Sequence, residues 1–185
     1  MNFFPWDDIN SLETRAAEAQ KQAKSGDFDR VVDEFIDTVD ELFEMDYFYG
    51  VQDISRQLGK SLEPNFTEME ASINKVIDGK DYRQRIREYM ESGTPADIAR
   101  VIGTDAHRIY NDAMFDQAKS NGATKKTWRT MKDLRVRDTH DYLEGVTIPI
   151  DAEFYTADGS HALYPGEFGV ADLDINCRCW VTYQL

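Results

Sequence analysis

A long helix is predicted most clearly by residues 94–122, which read TPADIARVIGTDAHRIYNDAMFDQAKSNG. Thr94 is a typical N-cap, Pro95 suits the first helical turn, and Asp97 stands where a capping box has its acidic residue. Gly103 is a potential break in this helix, and the Asn-Gly pair at the end of the stretch predicts its termination. The predicted inner face, at helical spacing, consists of Ile98, Val101, Ile102, Ile109, Tyr110 and Ala113.

The sequence before this stretch has helical periodicity and almost no strand pattern. Helices are predicted at residues 7–24, 27–48, 64–77 and 81–91, with Pro64 in a first turn and an acidic outer face on the second helix. Residues 1–92 are therefore predicted to form a helical arm or bundle. The apolar tip at residues 3–6, Phe-Phe-Pro-Trp, either docks on a partner or folds back on the helices.

The sequence after Gly122 changes to short strand patterns. Strands are predicted at residues 126–131, 146–148 and 177–183, one or two helical turns at 138–143, and a long loop at 151–174. We expect Lys126, Trp128 and Thr130 to share one strand face, with Arg129 on the other. The fold class is therefore α+β: a helical part, 1–92, followed by a small mixed α+β domain with a short antiparallel sheet, 93–185.

Composition limits the function classes. Thirty-five acids against 21 bases give a net charge of −14, which disfavours a protein that coats DNA with its whole surface. No apolar run approaches the ~20 residues of a membrane helix, and the first residues do not resemble a signal peptide. Two cysteines do not make a secreted disulfide framework, so a reducing compartment is expected.

The charges are segregated along the chain. Residues 27–53 hold ten acids and one base, and residues 138–174 hold nine acids and no lysine or arginine. Between them lies a basic strip that contains a tryptophan, a combination that suits an acidic protein surface or a nucleic-acid backbone. The chain's own acidic segments are the alternative partners. The candidate partner- or DNA-binding residues are Lys119, Lys125, Lys126, Trp128, Arg129, Lys132, Arg135 and Arg137.

Two sets of residues could carry metal chemistry. His140, Cys177 and Cys179 are a weak candidate zinc set, with Asp138 or His161 as a fourth ligand. Zinc sites usually place two to four residues between paired cysteines, and here there is one, so we favour packing of these residues in the sheet core. We therefore predict no cofactor, with zinc as the one alternative.

The second set is Asp133, Asp138, His140 and Asp141, which could hold Mg²⁺ in a hydrolase or nuclease. Arg135 and Arg137 lie between these acids and could simply pair with them. No phosphate-binding loop, nucleophile elbow or His-Glu-x-x-His motif occurs, so a catalytic role is disfavoured.

Several runs in the second half resemble, in order, the phage head morphogenesis domain, the minor head protein family typified by the F protein of bacteriophage Mu. They are residues 102–111 (IGTDAHRIYN), Trp128 with 133–140 (DLRVRDTH), 143–145 (LEG), 148–149 (IP), Phe154, 163–166 (LYPG) and 176–179 (NCRC). The resemblance favours a single helix over a helix-turn-helix in residues 94–108. The family often has Arg-Thr-Glu where this chain has Gly103-Thr104-Asp105.

The resemblance implies a minor head protein of a tailed phage or prophage. Such a protein acts without catalysis in head assembly, at the portal or inner capsid, in few copies. Portal and capsid proteins are the implied partners, with packaged DNA as a further candidate. The implied location is the virion, and the host cytoplasm during assembly. The alternative is a module of a prophage-borne polymorphic toxin, in which the domain is fused to separate effectors.

Overall fold

The computed structural model describes residues 9–185, and it confirms the α+β class. Five helices come first: α1 (Ile9–Ser25), α2 (Phe28–Leu58), α3 (Phe66–Ile73), α4 (Tyr82–Ser92) and α5 (Pro95–Ser120). The rest contains β1 (Lys125–Thr130), α6 (Asp138–Asp141), β2 (Thr147–Pro149), β3 (Phe154–Tyr155), β4 (His161–Ala162), α7 (Ala171–Asp174) and β5 (Cys179–Gln184). The apolar tip at residues 3–6 lies outside the described residues. No helix in the described part is both long and apolar enough to cross a membrane.

Helix α5 is continuous and lies at the centre of the fold. Its first turn is closed by the predicted capping box: the Asp97 N–H donates to Thr94 Oγ1 at 3.2 Å, and the Thr94 N–H donates to Asp97 Oδ2 at 3.0 Å. Gly103 does not break the helix, and residues 94–108 form no helix-turn-helix. Most of α5 is buried, because helices α1 to α4 and strand β5 all pack against it.

Two of the four predicted N-terminal helices differ in length from their predictions. Helix α2 extends ten residues beyond 48 to Leu58, and it is capped by Gly59, whose φ of +63° suits a left-handed C-cap. Helix α3 begins after Asn65, whose side chain accepts from the Thr67 N–H, and it ends at Ile73. Pro64 is therefore outside the helix, and so is Ile77, which pairs with Lys80 in a tight turn.

The helices before and after Gly93 share one hydrophobic core. Val32, Phe43 and Ile54 of α2 belong to the same buried cluster as Ile102 and Ile109 of α5. Burying these side chains together supplies the largest favourable contribution to folding. The N-terminal helices therefore form a bundle around α5 rather than an arm standing apart.

The sheet is antiparallel with the order β2-β1-β5. Lys126 pairs with Tyr183, Trp128 with Val181 and Thr130 with Cys179. Lys126, Trp128 and Thr130 therefore share one face, as alternation predicts, and burial shows that this is the inner face. Residues 151–174 are not simply a loop, because they contain the β3–β4 hairpin and α7. These elements were missed because strands of two residues are too short to show a period.

Candidate functional site

The basic strip divides into buried and exposed members. Lys126 and Trp128 are fully buried on the inner face of β1, so the prediction that they bind a partner or DNA is corrected. The Lys126 ammonium lies 4.9 Å from the ring centre of Phe115 and 5.4 Å from that of Phe154, which are cation–π distances. Burial lowers the pKa of Lys126 to about 8.

Three other members pair with acids of the 138–174 segment. Lys119 lies 2.6 Å from Asp151, and both Arg129 and Lys132 contact Glu144, at 3.4 and 3.3 Å. These three cations therefore pair with acidic residues of the same chain, which was the alternative to binding a partner or DNA. Because their side chains remain 40–69% exposed, each pair contributes little to stability and leaves the cations within reach of a partner.

The segment from Lys132 to Arg137 forms an exposed loop, which we call the basic loop. Leu134 at its tip is fully exposed, and the Arg135 side chain is 71% exposed while contacting Asp133 at 3.5 Å. The loop is attached at both ends to the segment before β5, since Arg137 donates to the Ile175 carbonyl and Asp133 lies 3.1 Å from Arg178. The basic loop therefore presents an exposed leucine beside exposed cations, and contacts at both ends hold the loop in place.

The structure brings His140, Cys177 and Cys179 together, although 37 residues separate the histidine from the first cysteine. The Nδ1 atom of His140 lies 3.5 Å from Cys177 Sγ and 3.6 Å from Cys179 Sγ. All three side chains are buried, and both cysteines are free thiols. Burial raises the pKa of the Cys177 thiol well above its ordinary value. The cluster includes neither Asp138 nor His161, the two suggested fourth ligands.

Aromatic rings surround this His–Cys–Cys cluster. The His140 ring stacks on Phe168 at 5.4 Å between centres and meets the edge of Trp128 at 5.7 Å. Trp128 in turn contacts Phe154 at 5.0 Å. The cluster is therefore enclosed by apolar surface, where an unpaired polar group is costly.

Helix α5 supports the cluster through two polar residues, His107 and Asn111, whose role no motif in the sequence indicates. The Nε2–H of His107 donates to the Cys179 carbonyl at 2.7 Å, and Asn111 Nδ2 donates to the His107 carbonyl at 2.9 Å. Burial lowers the pKa of His107 to about 4, so the ring is neutral at pH 7. The sequence carries one signal for His107 and Asn111: they are polar residues four positions apart, interleaved with the predicted apolar inner face of the helix.

A second buried network includes Asp105 and Arg108, on either side of His107 in α5. The Asp105 carboxylate, 1% exposed, lies 2.8 Å from Arg85 of α4 and 3.3 Å from Arg108. Arg108 also donates to the Ser72 carbonyl at 2.9 Å, which joins α3 to the same network. The charge of Asp105 is therefore matched by the buried Arg108 and the partly buried Arg85.

The carboxylates suggested for a hydrolase are not gathered around His140. Asp133 is held by Arg135 and Arg178, Asp141 is exposed, and among the described residues the one group placed to hold a metal is the His–Cys–Cys cluster.

The geometry defines a small α+β protein whose sheet and long central helix both contact a buried His–Cys–Cys cluster. The chain belongs to the family described as Phage Mu protein F like protein, which it matches over residues 67–182. The match begins in α3, ahead of Gly93. No solved structure matches the chain significantly.

Two curated relatives are similar over this region. An NAD(+)–arginine ADP-ribosyltransferase, EFV, of Enterococcus faecalis is 34% identical over 114 residues, which cover 58% of this chain and 23% of that protein. The minor head protein GP7 of Bacillus phage SPP1 is 32% identical over 116 residues, which cover 60% of this chain and 37% of that protein. The chain thus spans only a minor part of the length of each relative.

Proposed function

We propose that this chain is a minor head protein of a tailed phage or prophage and acts without catalysis in head assembly. The observation that carries the proposal is the family match over residues 67–182, together with the similarity to a phage minor head protein over 60% of this chain. Portal and capsid proteins are the proposed partners. The proposed location is the virion, with assembly in the host cytoplasm.

The basic loop supports a contact with a protein partner. Leu134 is fully exposed, and a fully exposed leucine between cations gains from burial against another surface, whereas exposed lysines alone do not. The neighbouring charges of Lys132 and Arg135 would steer an acidic partner. The same exposed cations could contact packaged DNA, but the net charge of −14 makes the protein partner the stronger candidate.

A second candidate is favoured by the similarity to the ADP-ribosyltransferase. In that case the chain would be one module of a longer toxin-type protein, with the catalytic activity in another part. The two candidates differ in where the protein is found, because a minor head protein remains with purified particles in a few copies. Quantitative mass spectrometry of particles from the phage or prophage that encodes the chain distinguishes them.

The test of the proposed surface reverses exposed charges of the strip. We expect Lys125→Glu, Lys132→Glu and Arg135→Glu, combined in one protein, to reduce the copies per particle severalfold while the melting temperature stays near that of the wild type. The matched control reverses three exposed charges of α1, Arg15→Glu, Lys21→Glu and Lys24→Glu, and should incorporate normally.

Normal incorporation of the strip variant, or an equal loss in the control, contradicts the assignment of the partner surface. Lys126 is left unchanged because a buried glutamate at that position would destabilise the fold and confuse the readout.

A further inference from the structure

The donor atoms of the His–Cys–Cys cluster lie close enough together to bind one metal ion. The Nδ1 of His140 and the two sulfur atoms all lie within 4.8 Å of one another, in a region where each residue is at most 4% exposed. Thiolate sulfur and imidazole nitrogen are the donor types that zinc prefers in proteins. The chemistry of the donor set and its enclosure therefore both suit a bound ion.

The distances match a tetrahedral zinc site. Zinc–sulfur bonds of about 2.3 Å and a zinc–nitrogen bond of about 2.0–2.1 Å, at a tetrahedral angle, place nitrogen and sulfur about 3.5–3.6 Å apart. The two measured separations from His140 Nδ1 are 3.5 and 3.6 Å. Both nitrogen–sulfur distances therefore already have the values expected of a tetrahedral zinc site.

The His140 imidazole offers one acceptor atom to two thiols. A neutral imidazole nitrogen has one lone pair and accepts one well-aligned hydrogen, yet two sulfur atoms approach the same Nδ1 of His140 at nearly equal distances. A cation between the three donors would bind one lone pair of each.

The one-residue spacing of the cysteines, which argued against zinc in the sequence, is accommodated by the backbone. Cys179 begins β5, whereas Cys177 lies outside the strand, after Asn176 with a φ of +55°. The Cys177 N–H donates to the Asp174 carbonyl at 3.2 Å, and His107 holds the Cys179 carbonyl at 2.7 Å. The two sulfur atoms converge because Cys177 lies on a turn and Cys179 lies on a strand, so the cysteines do not occupy two successive positions of one strand face.

We propose that His140 Nδ1, Cys177 Sγ and Cys179 Sγ bind one structural zinc ion that joins α6 to the start of β5. Among the described residues no further histidine, cysteine or carboxylate joins the three donors, so the fourth position falls to a water molecule. Because all three ligands are buried and aromatic rings pack against His140, we assign the ion the role of holding two segments together rather than a catalytic role.

The experiment uses the full chain, depleted of metal under reducing conditions and titrated with zinc chloride against a chromophoric chelator. We expect one zinc ion per chain, and a melting temperature about 5–10 °C higher when free zinc is a hundredfold above Kd. Cys177→Ser, Cys179→Ser and His140→Gln should each lose stoichiometric binding. The matched control, His161→Gln, removes an exposed histidine outside the cluster and should bind zinc as the wild type does.

Cobalt provides a readout that does not need the variants to fold. The chain contains only two cysteines, so thiolate-to-cobalt charge-transfer absorption in the wild type can arise from Cys177 and Cys179 alone. Folded wild-type protein that takes up neither zinc nor cobalt with this absorption overturns the proposal. So does stoichiometric zinc binding that survives both serine variants, because the ion would then sit elsewhere.

Discussion

The contact between α2 and α5 at Gly50 provides a sharp test of the architecture. A Cβ atom added at Gly50 would lie 2.5 Å from the Tyr110 carbonyl oxygen and 2.9 Å from the Ala113 Cβ, so the two helices touch at this point. The oxygen belongs to a helix backbone and cannot rotate away, unlike the end of a flexible side chain. Gly50→Ala therefore forces the helices apart by several tenths of an ångström.

The expected size follows from two opposing effects. Replacing glycine by alanine inside a helix is worth about 1 kcal/mol in favour of folding. Overpacking costs about 1–3 kcal/mol, and a clash with backbone belongs at the upper end of that range. The net expectation is a loss of about 2 kcal/mol in the free energy of unfolding, or about 4–8 °C in melting temperature for a chain of this length.

Gly103 provides the matched control, because it lies within α5 and an added Cβ there would meet nothing within 4 Å. Gly103→Ala should therefore raise the melting temperature by about 2–4 °C. Thermal and urea denaturation, followed by circular dichroism, measure both variants. Equal stabilities of the two variants would refute the close contact of α2 with α5, and with it the single core that spans Gly93.

Three further predictions concern buried charges. Lys126→Met should raise the melting temperature at pH 7, because burial lowers the pKa of Lys126 to about 8 in the folded protein. Between pH 8 and 10.5 the lysine is protonated only in the unfolded state, so the wild type becomes more stable with rising pH and the advantage of the methionine variant shrinks. Asp46 is fully buried, and burial raises its pKa to about 8, so the contribution of Asp46 to the free energy of unfolding should fall from pH 4 to 8. Asp46→Asn should therefore be more stable relative to the wild type at pH 8 than at pH 5 in thermal melts. Asp105→Asn leaves the buried Arg108 and its neighbour Arg85 without their shared carboxylate, which should cost about 3–5 kcal/mol in urea denaturation.

The features that the sequence predicted well are those that local chemistry determines. The capping box of Thr94 and Asp97 specifies the start of α5, and alternation around Trp128 specifies which side chains of β1 share a face. Alternation does not say which face is covered, however. Lys126 was therefore assigned to a binding surface, whereas burial of Trp128 on the same face takes the lysine into the core.

The candidate site shows the same division between local and long-range information. Residue types alone identified His140 with Cys177 and Cys179 as a chemically related set. Their convergence depends on how α6 packs beside β5, which no local pattern encodes. The supporting role of His107 was missed because its partner is a backbone carbonyl 72 residues away, and any residue offers a carbonyl.

The exposed basic loop and the buried His–Cys–Cys cluster are two sides of one structural unit. Asp133 of the loop binds Arg178, which lies between the two cysteines, and Arg137 binds the Ile175 carbonyl just before them. His140 follows the loop within α6, so the loop is fixed at both ends to the segments that carry the cluster. A partner bound at Leu134 would therefore be held by a loop that is anchored to the segments that carry the cluster. Under the zinc proposal, an ion that joins these three side chains would also stiffen the support of the proposed partner surface.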